Sequence, residues 1–68
     1  MLYEKEPKEA RRLYSLAAEQ GHANAQFNLA NMLLLGEGGA KDQKEARRLF
    51  SLAAEQGHAN AQFNLANM

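Results

Sequence analysis

Two kinds of segment alternate along the chain, and each kind occurs twice. In residues 7–20 and 43–56, small and apolar residues recur at helical spacing on one face, and charged residues cover the opposite face. Residues 23–35 and 59–68 are apolar on almost every side and are interrupted mainly by asparagines. The pattern predicts one all-α domain of four helices, in which a half-exposed outer helix twice precedes a more buried inner helix.

The two predicted outer helices differ in how they begin. Pro7 suits the first helical position, where its missing N–H has no intrahelical partner to lose, but Glu6 before it is a poor N-cap. In the second copy Asp42 stands three residues before Glu45, which resembles a capping box with Asp as the cap. Between the helix pairs, residues 36–39 contain three glycines, and this composition predicts an irregular loop.

The two halves of the chain are copies of one another. Shifted by 36 positions, residues 8–32 align with residues 44–68, and the only difference is Tyr14 against Phe50. A period of about 34 to 47 residues is typical of a two-helix unit that stacks into a solenoid. Such close identity indicates either a recent duplication or a consensus-type engineered array, and the sequence leaves both open.

The residues repeated at these offsets resemble the Sel1-like repeat, a relative of the tetratricopeptide repeat. The resemblance implies a right-handed α-solenoid of antiparallel helix pairs that acts as an adaptor for other proteins and has no catalytic activity. The positions that carry it are Ala25, Leu29, Gly36, Gly38, Asp42, Ala46, Phe50, Ala53, Ala54, Gly57 and Ala61. The positions that depart from the family's usual residues are Ala30, Leu33, Ala40 and Leu49.

Asparagines form a polar stripe on the inner helices, and they are the main candidate binding residues. Amide side chains donate and accept hydrogen bonds at once, which suits them to the backbone of an extended peptide. The resemblance implies that the inner helices line a concave groove in which asparagines hold a peptide main chain. The alternative is a solvated stripe, or a hydrogen-bonded ladder between repeats, with no ligand. The candidates are Asn24, Asn28, Asn31, Asn60, Asn64 and Asn67.

Composition narrows the range of partners. In this chain of 68 residues, 8 basic and 8 acidic side chains cancel, which disfavours nucleic acid and anionic membranes as partners. There is no cysteine, and the longest apolar run, residues 32–35, is too short to span a bilayer. The charged N-terminal segment does not resemble a signal peptide, so cytosolic residence is the default expectation.

No residue pattern supports catalysis or a metal site. His22 and His58 are repeat equivalents, so stacking should hold them about 10 Å apart, too far to share one ion; both are expected to begin the inner helices. Ser15 and Ser51 have no histidine at helical spacing to activate them. The arginine pairs lie among acidic residues, which favours a solvated charged face over a phosphate site. We therefore expect no enzyme activity, no cofactor and no metal.

Two further expectations concern packing. Phe27 is expected to be the central core residue, between the two outer helices. The chain as given begins with an outer helix and finishes with an inner one, so its ends should lack polar capping repeats. Phe63, Leu65 and Met68 should then stay without partners. We expect self-association, either as an end-to-end stack or as a closed dimer, the latter formed directly or by exchange of a terminal helix across the glycine loop.

Overall fold

A computed structural model describes residues 6–68, which form four α-helices joined by short connections. Each helix packs against the next one along the chain. No strand occurs within this range, so the predicted all-α fold is confirmed. None of the four described helices has the length and apolar character that crossing a bilayer requires. The helices are α1 (Pro7–Glu19), α2 (Ala23–Leu35), α3 (Gln43–Glu55) and α4 (Ala59–Ala66).

The two outer helices, α1 and α3, begin differently, as their sequences suggest. Glu6 is the N-cap of α1, and its side chain makes no cap hydrogen bond. The N-cap of α3 is Asp42, whose Oδ1 accepts a hydrogen bond of 3.1 Å from the backbone N–H of Glu45. The carboxylate of Glu45 does not reciprocate, because it accepts hydrogen bonds from Nε and Nη2 of Arg48. The predicted capping box is therefore only half formed.

Three helices end one or two residues earlier than the sequence suggests, whereas α2 ends at Leu35 as predicted. The outer helices end at Glu19 and Glu55, where the C-caps are Gln20 and Gln56. A glycine follows each cap with a φ of 88° or 87°, and this left-handed conformation turns the chain into the next inner helix. The last inner helix ends at Ala66 rather than at the expected residue 68.

The core lies between α2 and α3, and its central residue is Phe50 rather than Phe27. The ring of Phe50 is fully buried, whereas Phe27 is only half-buried, with its ring centroid 5.9 Å from that of Phe50. The expectation for Phe27 is wrong because its ring packs at the edge of the core, against α3 on one side and His58 on the other. The residues around Phe50 in the core are Ala18, Ala25, Leu29, Ala30, Leu33, Ala46, Leu49, Ala53 and Ala61.

The glycine loop packs closely against the start of α1. Gly38 has a φ of 73°, and a Cβ at this position would lie 2.6 Å from the carbonyl oxygen of Pro7. A Cβ at Gly39 would lie 2.7 Å from Nη1 of Arg11. The glycines therefore allow the loop to approach α1 more closely than any other residue would permit.

Arg11 binds the same loop through hydrogen bonds. The sequence pattern favours a solvated charged face for the arginine pairs, and that interpretation is wrong for Arg11. Its Nη1 donates to the carbonyl oxygen of Glu37 at 2.9 Å, and its Nη2 donates to that of Ala40 at 2.8 Å. Its neighbour Arg12 is exposed and pairs with Glu9 one turn earlier on α1. Two adjacent arginines thus have different roles because they point to different sides of the helix.

Candidate functional site

The six asparagines of the sequence stripe are here called the asparagine surface, and two of their hydrogen bonds cross from one helix pair to the other. Nδ2 of Asn64 donates to Oδ1 of Asn31 at 3.5 Å, a long hydrogen bond that crosses from α4 to α2. Oδ1 of Asn24 lies 2.8 Å from Nε2 of His58, at the entry to α4. Contacts between repeats therefore use some of the amides that the sequence marks as candidate ligand groups.

The contact between Asn31 and Asn64 joins residues that are not repeat equivalents. The equivalent of Asn31 is Asn67, yet the partner that reaches it is 33 positions away rather than 36. Nδ2 of Asn67 instead donates to the carbonyl oxygen of Phe63 in its own helix at 3.1 Å. The contact between the two asparagines is thus offset by three residues, about one helical turn, from the repeat distance.

Two of the six asparagine side chains take no part in these hydrogen bonds. Within residues 6–68, the side chains of Asn28 and Asn60 make no hydrogen bond. Asn60 is exposed, whereas Asn28 is half-buried between neighbours on the stripe. Within residues 6–68 no buried side-chain nitrogen or oxygen lacks a hydrogen bond, so the amide atoms of Asn28 reach solvent and are open to a partner from outside the chain.

His58 fastens the start of α4 to α2. Its Nδ1 accepts a hydrogen bond of 3.1 Å from the N–H of Ala61, so the proton of the neutral ring is on Nε2, which donates to Asn24. The ring also stacks on Phe27, with centroids 4.7 Å apart. Both histidines are N-caps, as the sequence predicts, but the side chain of His22 makes no cap hydrogen bond.

A repeated glutamine is a structural residue that the sequence analysis missed. Gln26 is buried, and its Nε2 donates to the carbonyl oxygen of Ala18 at 3.3 Å. Its Oε1 accepts from Nε2 of Gln56 at 2.9 Å. The copy, Gln62, makes the corresponding bond to Ala54 at 3.1 Å. The signal available in the sequence was a polar residue at the same position of two nearly apolar helices, since a buried amide needs partners at the end of the adjacent helix.

The outer helices carry charge pairs and bonded hydroxyls. Hydrogen bonds from Arg12 lower the pKa of Glu9, and those from Arg48 lower the pKa of Glu45. The hydroxyl of Ser51 donates to a backbone carbonyl of its own helix, as that of its copy in α1 does. In the part of the chain that the structure describes, no three histidine or acidic side chains form a group that could hold a metal ion.

A depression of about 400 Å³ lies between the two outer helices, and none of the six asparagines lines it. Its rim includes Glu19, Glu45 and Arg48, and its floor includes Gln26 and Leu29. Opposite charges on the rim already form an ion pair with each other. The asparagine surface is therefore the better candidate for recognition.

Comparison with known proteins supports the resemblance found in the sequence. The family model of the Sel1 repeat matches residues 2–22 and 23–58. Sel1 repeats generally mediate protein–protein interactions and are non-enzymatic modules. Comparisons with curated proteins and with solved structures give no significant match.

Proposed function

Because the chain belongs to the Sel1 repeat family, whose members generally bind proteins, we propose that it binds an extended peptide segment of a partner protein across the asparagine surface. The observation that carries this proposal is the side chain of Asn28, a half-buried residue whose amide is open to solvent and has no hydrogen-bond partner within residues 6–68. The bound peptide supplies that partner from its main chain.

The spacing of the inner helices suits an extended chain. Packed helices lie about 8–10 Å apart, and an extended peptide advances about 3.3 Å per residue. Asn28 on α2 and its copy Asn64 on α4 therefore meet main-chain groups about three residues apart. Because a backbone amide and a side-chain amide each donate and accept, this contact recognises an extended main chain with little dependence on its side chains.

The surrounding contacts hold the surface in place before a peptide binds. Asn24 is held by His58, and Asn31 is held by Asn64, so these amides lose little conformational freedom on binding. Asn64 retains its carbonyl oxygen as an acceptor, because only its Nδ2 is used in the bond to Asn31. The hydrogen bonds between the repeats therefore leave other groups on the same surface available to bind a peptide.

Selection from a display library of random linear peptides, followed by calorimetric titration of the selected peptides, tests the proposal. We expect Asn28→Ala to weaken binding about tenfold, because loss of one amide leaves buried peptide groups unpaired. The matched control is Gln43→Ala, which removes an exposed amide from the outer helix α3 and should leave the affinity unchanged. Alanine favours helix at either position, so both variants should keep their far-UV circular dichroism.

A structural repeat without a ligand is the rival function, and the near-identity of the two copies favours it. If no peptide is enriched, or if the selected peptides bind the Asn28→Ala variant as tightly as the parent chain, the peptide-binding proposal is wrong. The rival then accounts for the asparagine surface as a ladder between repeats alone.

A further inference from the structure

Two exposed surfaces of this molecule are copies of two surfaces that already pack together inside it. Leu49 of α3 is 3% exposed where it packs in the core with α2, whereas its copy Leu13 on α1 is 41% exposed. Phe27 of α2 is half-buried against α3, whereas its copy Phe63 on α4 is 68% exposed. The exposed face of α4 thus repeats the first turns of the face that α2 buries. The exposed face of α1 repeats that of α3, with Tyr14 in place of Phe50.

The polar contacts between α2 and His58 also have copies on the exposed surfaces. Asn24 and Phe27 on α2 both contact His58, which follows the outer helix α3. Their copies on α4 are Asn60 and Phe63, and the copy of His58 is His22, which follows α1. Within residues 6–68, neither Asn60 nor His22 makes a side-chain hydrogen bond. The polar side chains of both halves are therefore present, and they make no hydrogen bond in the described part of the chain.

We propose that the face of α4 on one copy of the chain docks onto α1 of a second copy and reproduces the α2–α3 interface between molecules. In this contact Phe63 packs against α1 of the second copy at Tyr14, which stands where α3 has Phe50, with Leu13 beside it. His22 of the second copy stacks on Phe63 and donates its Nε2 proton to Asn60, as His58 does within the chain. The occupant of each surface is thus a chain of the same sequence.

The geometry favours a head-to-tail contact over the closed alternatives. Two different surfaces meet, so each copy keeps one free surface of each kind, and further copies can add to both ends. Exchange of a helix pair requires the glycine loop to open. Arg11 of α1 donates hydrogen bonds to the carbonyl oxygens of Glu37 and Ala40 in that loop. Gly38 of the loop also packs on the backbone of Pro7. The loop is therefore a poor hinge.

The three residues expected to lack partners differ in their suitability for this contact. Phe63 and Met68 are exposed, whereas Leu65 is half-buried and packs against the core. Phe63 is therefore the principal apolar contact on α4. A head-to-tail stack also continues the asparagine surface from one copy to the next. Asn28 of the second copy, which is the equivalent of Asn64, then meets Asn67 of the first copy, which is the equivalent of Asn31.

Light scattering over a concentration series tests the proposal on the chain itself. We expect the mass of the parent chain to rise with concentration beyond that of two chains. Phe63→Glu and Leu13→Glu should each give monomers, since a charge replaces an apolar contact on one surface. Leu35→Glu is the matched control, because Leu35 is 62% exposed but lies on neither α1 nor α4. This control should associate like the parent chain.

An equimolar mixture of the two monomeric variants gives the sharper test. The Phe63→Glu chain keeps an intact α1 and the Leu13→Glu chain keeps an intact α4, so the mixture should form a species of two chains and no larger one. Circular dichroism of each variant checks that it is folded before mixing. A mixture that stays monomeric while both variants are folded overturns the proposal.

Other results also contradict the head-to-tail contact. A parent chain that is monomeric throughout the series overturns it, and so does a Leu13→Glu variant that still dimerises, because that result indicates two α4 helices in contact. His22→Ala removes one hydrogen bond from the proposed contact. The protein concentration at which half of the chains are associated should therefore rise about fivefold. Leu13→Glu leaves every asparagine in place, so loss of association with retained peptide binding in this variant separates this proposal from peptide binding.

Discussion

The imidazole ring of His58 lies almost face to face with the phenyl ring of Phe27, with centroids 4.7 Å apart and planes inclined by 29°. The same imidazole caps α4 through Nδ1 and donates to Asn24 through Nε2. One side chain therefore joins the second helix pair to the first by a ring contact, a cap and a hydrogen bond. Its copy His22 has identical neighbours in sequence on both sides and makes no cap bond.

The first prediction compares the two histidines. His58→Ala should lower the free energy of unfolding by about 2 kcal/mol, because a cap and an aromatic contact are lost together. His22→Ala should change the stability of the monomer very little, since the side chain of His22 is exposed and makes no cap bond. Urea denaturation at low protein concentration measures both. Equal losses would show that His58 is no more than a helix-entry residue.

The second prediction concerns the core. Phe50→Ala should cost about 3–5 kcal/mol and abolish the cooperative thermal transition of so small a domain. Phe27→Ala should cost about 2 kcal/mol, because its ring is only half-buried. Phe63→Ala should cost less than about 0.5 kcal/mol in the monomer, because that ring is exposed. A larger loss for Phe27→Ala than for Phe50→Ala would restore Phe27 as the centre of the core.

The third prediction uses two glycines with similar backbone conformations, Gly38 and Gly57, whose φ values are 73° and 87°. Gly57→Ala should cost about 1 kcal/mol, because alanine is strained in the left-handed region, but nothing lies within 4 Å of the new Cβ. Gly38→Ala should cost about 3 kcal/mol, because the Cβ also meets the backbone of Pro7. Similar melting temperatures for the two variants would show that the loop does not pack tightly on α1.

The fourth prediction concerns the stability of the fold at acidic pH. Hydrogen bonds from Arg48 lower the pKa of Glu45 below its ordinary value of 4.5 in the folded chain. The pair therefore stabilises the fold above that ordinary pKa, and the contribution is lost as the pH falls through the folded pKa. Since the pair is largely exposed, the contribution should be only about 0.3 kcal/mol.

Urea midpoints of the parent chain and of Glu45→Gln at pH 7 and pH 3 measure this effect. The parent should be slightly more stable at pH 7, and the difference should be smaller at pH 3, because the contribution is lost as the pH falls through the folded pKa of Glu45. Glu9 forms the equivalent pair with Arg12, and hydrogen bonds from Arg12 lower its pKa in the same direction. A difference between the chains that is as large at pH 3 as at pH 7 would assign the effect to the shape of the side chain rather than to its charge.

The sequence by itself determined what depends on neighbours along the chain. The helical spacing of apolar residues predicts the four helices, and the repeat predicts that they form pairs which stack. The cap at Asp42 and the weak start at Glu6 also follow from local chemistry, because a cap bond joins residues only three positions apart. These features need no knowledge of how the helices pack.

Only the tertiary structure decided how equivalent residues differ. Phe50 rather than Phe27 occupies the centre of the core, and Asn31 contacts Asn64 instead of a residue at the repeat distance. Both contacts depend on how far neighbouring helices are shifted and rotated relative to one another. Side-chain packing determines that arrangement, and the periodicity of the sequence does not.

The two histidines show the physical reason most directly. The sequence around His22 matches that around His58, so local preference cannot distinguish them. They differ because His58 meets the ring of Phe27 and the amide of Asn24 on the preceding inner helix. A repeat sequence thus determines its own helices, whereas the contacts of each copy depend on which surfaces lie against it.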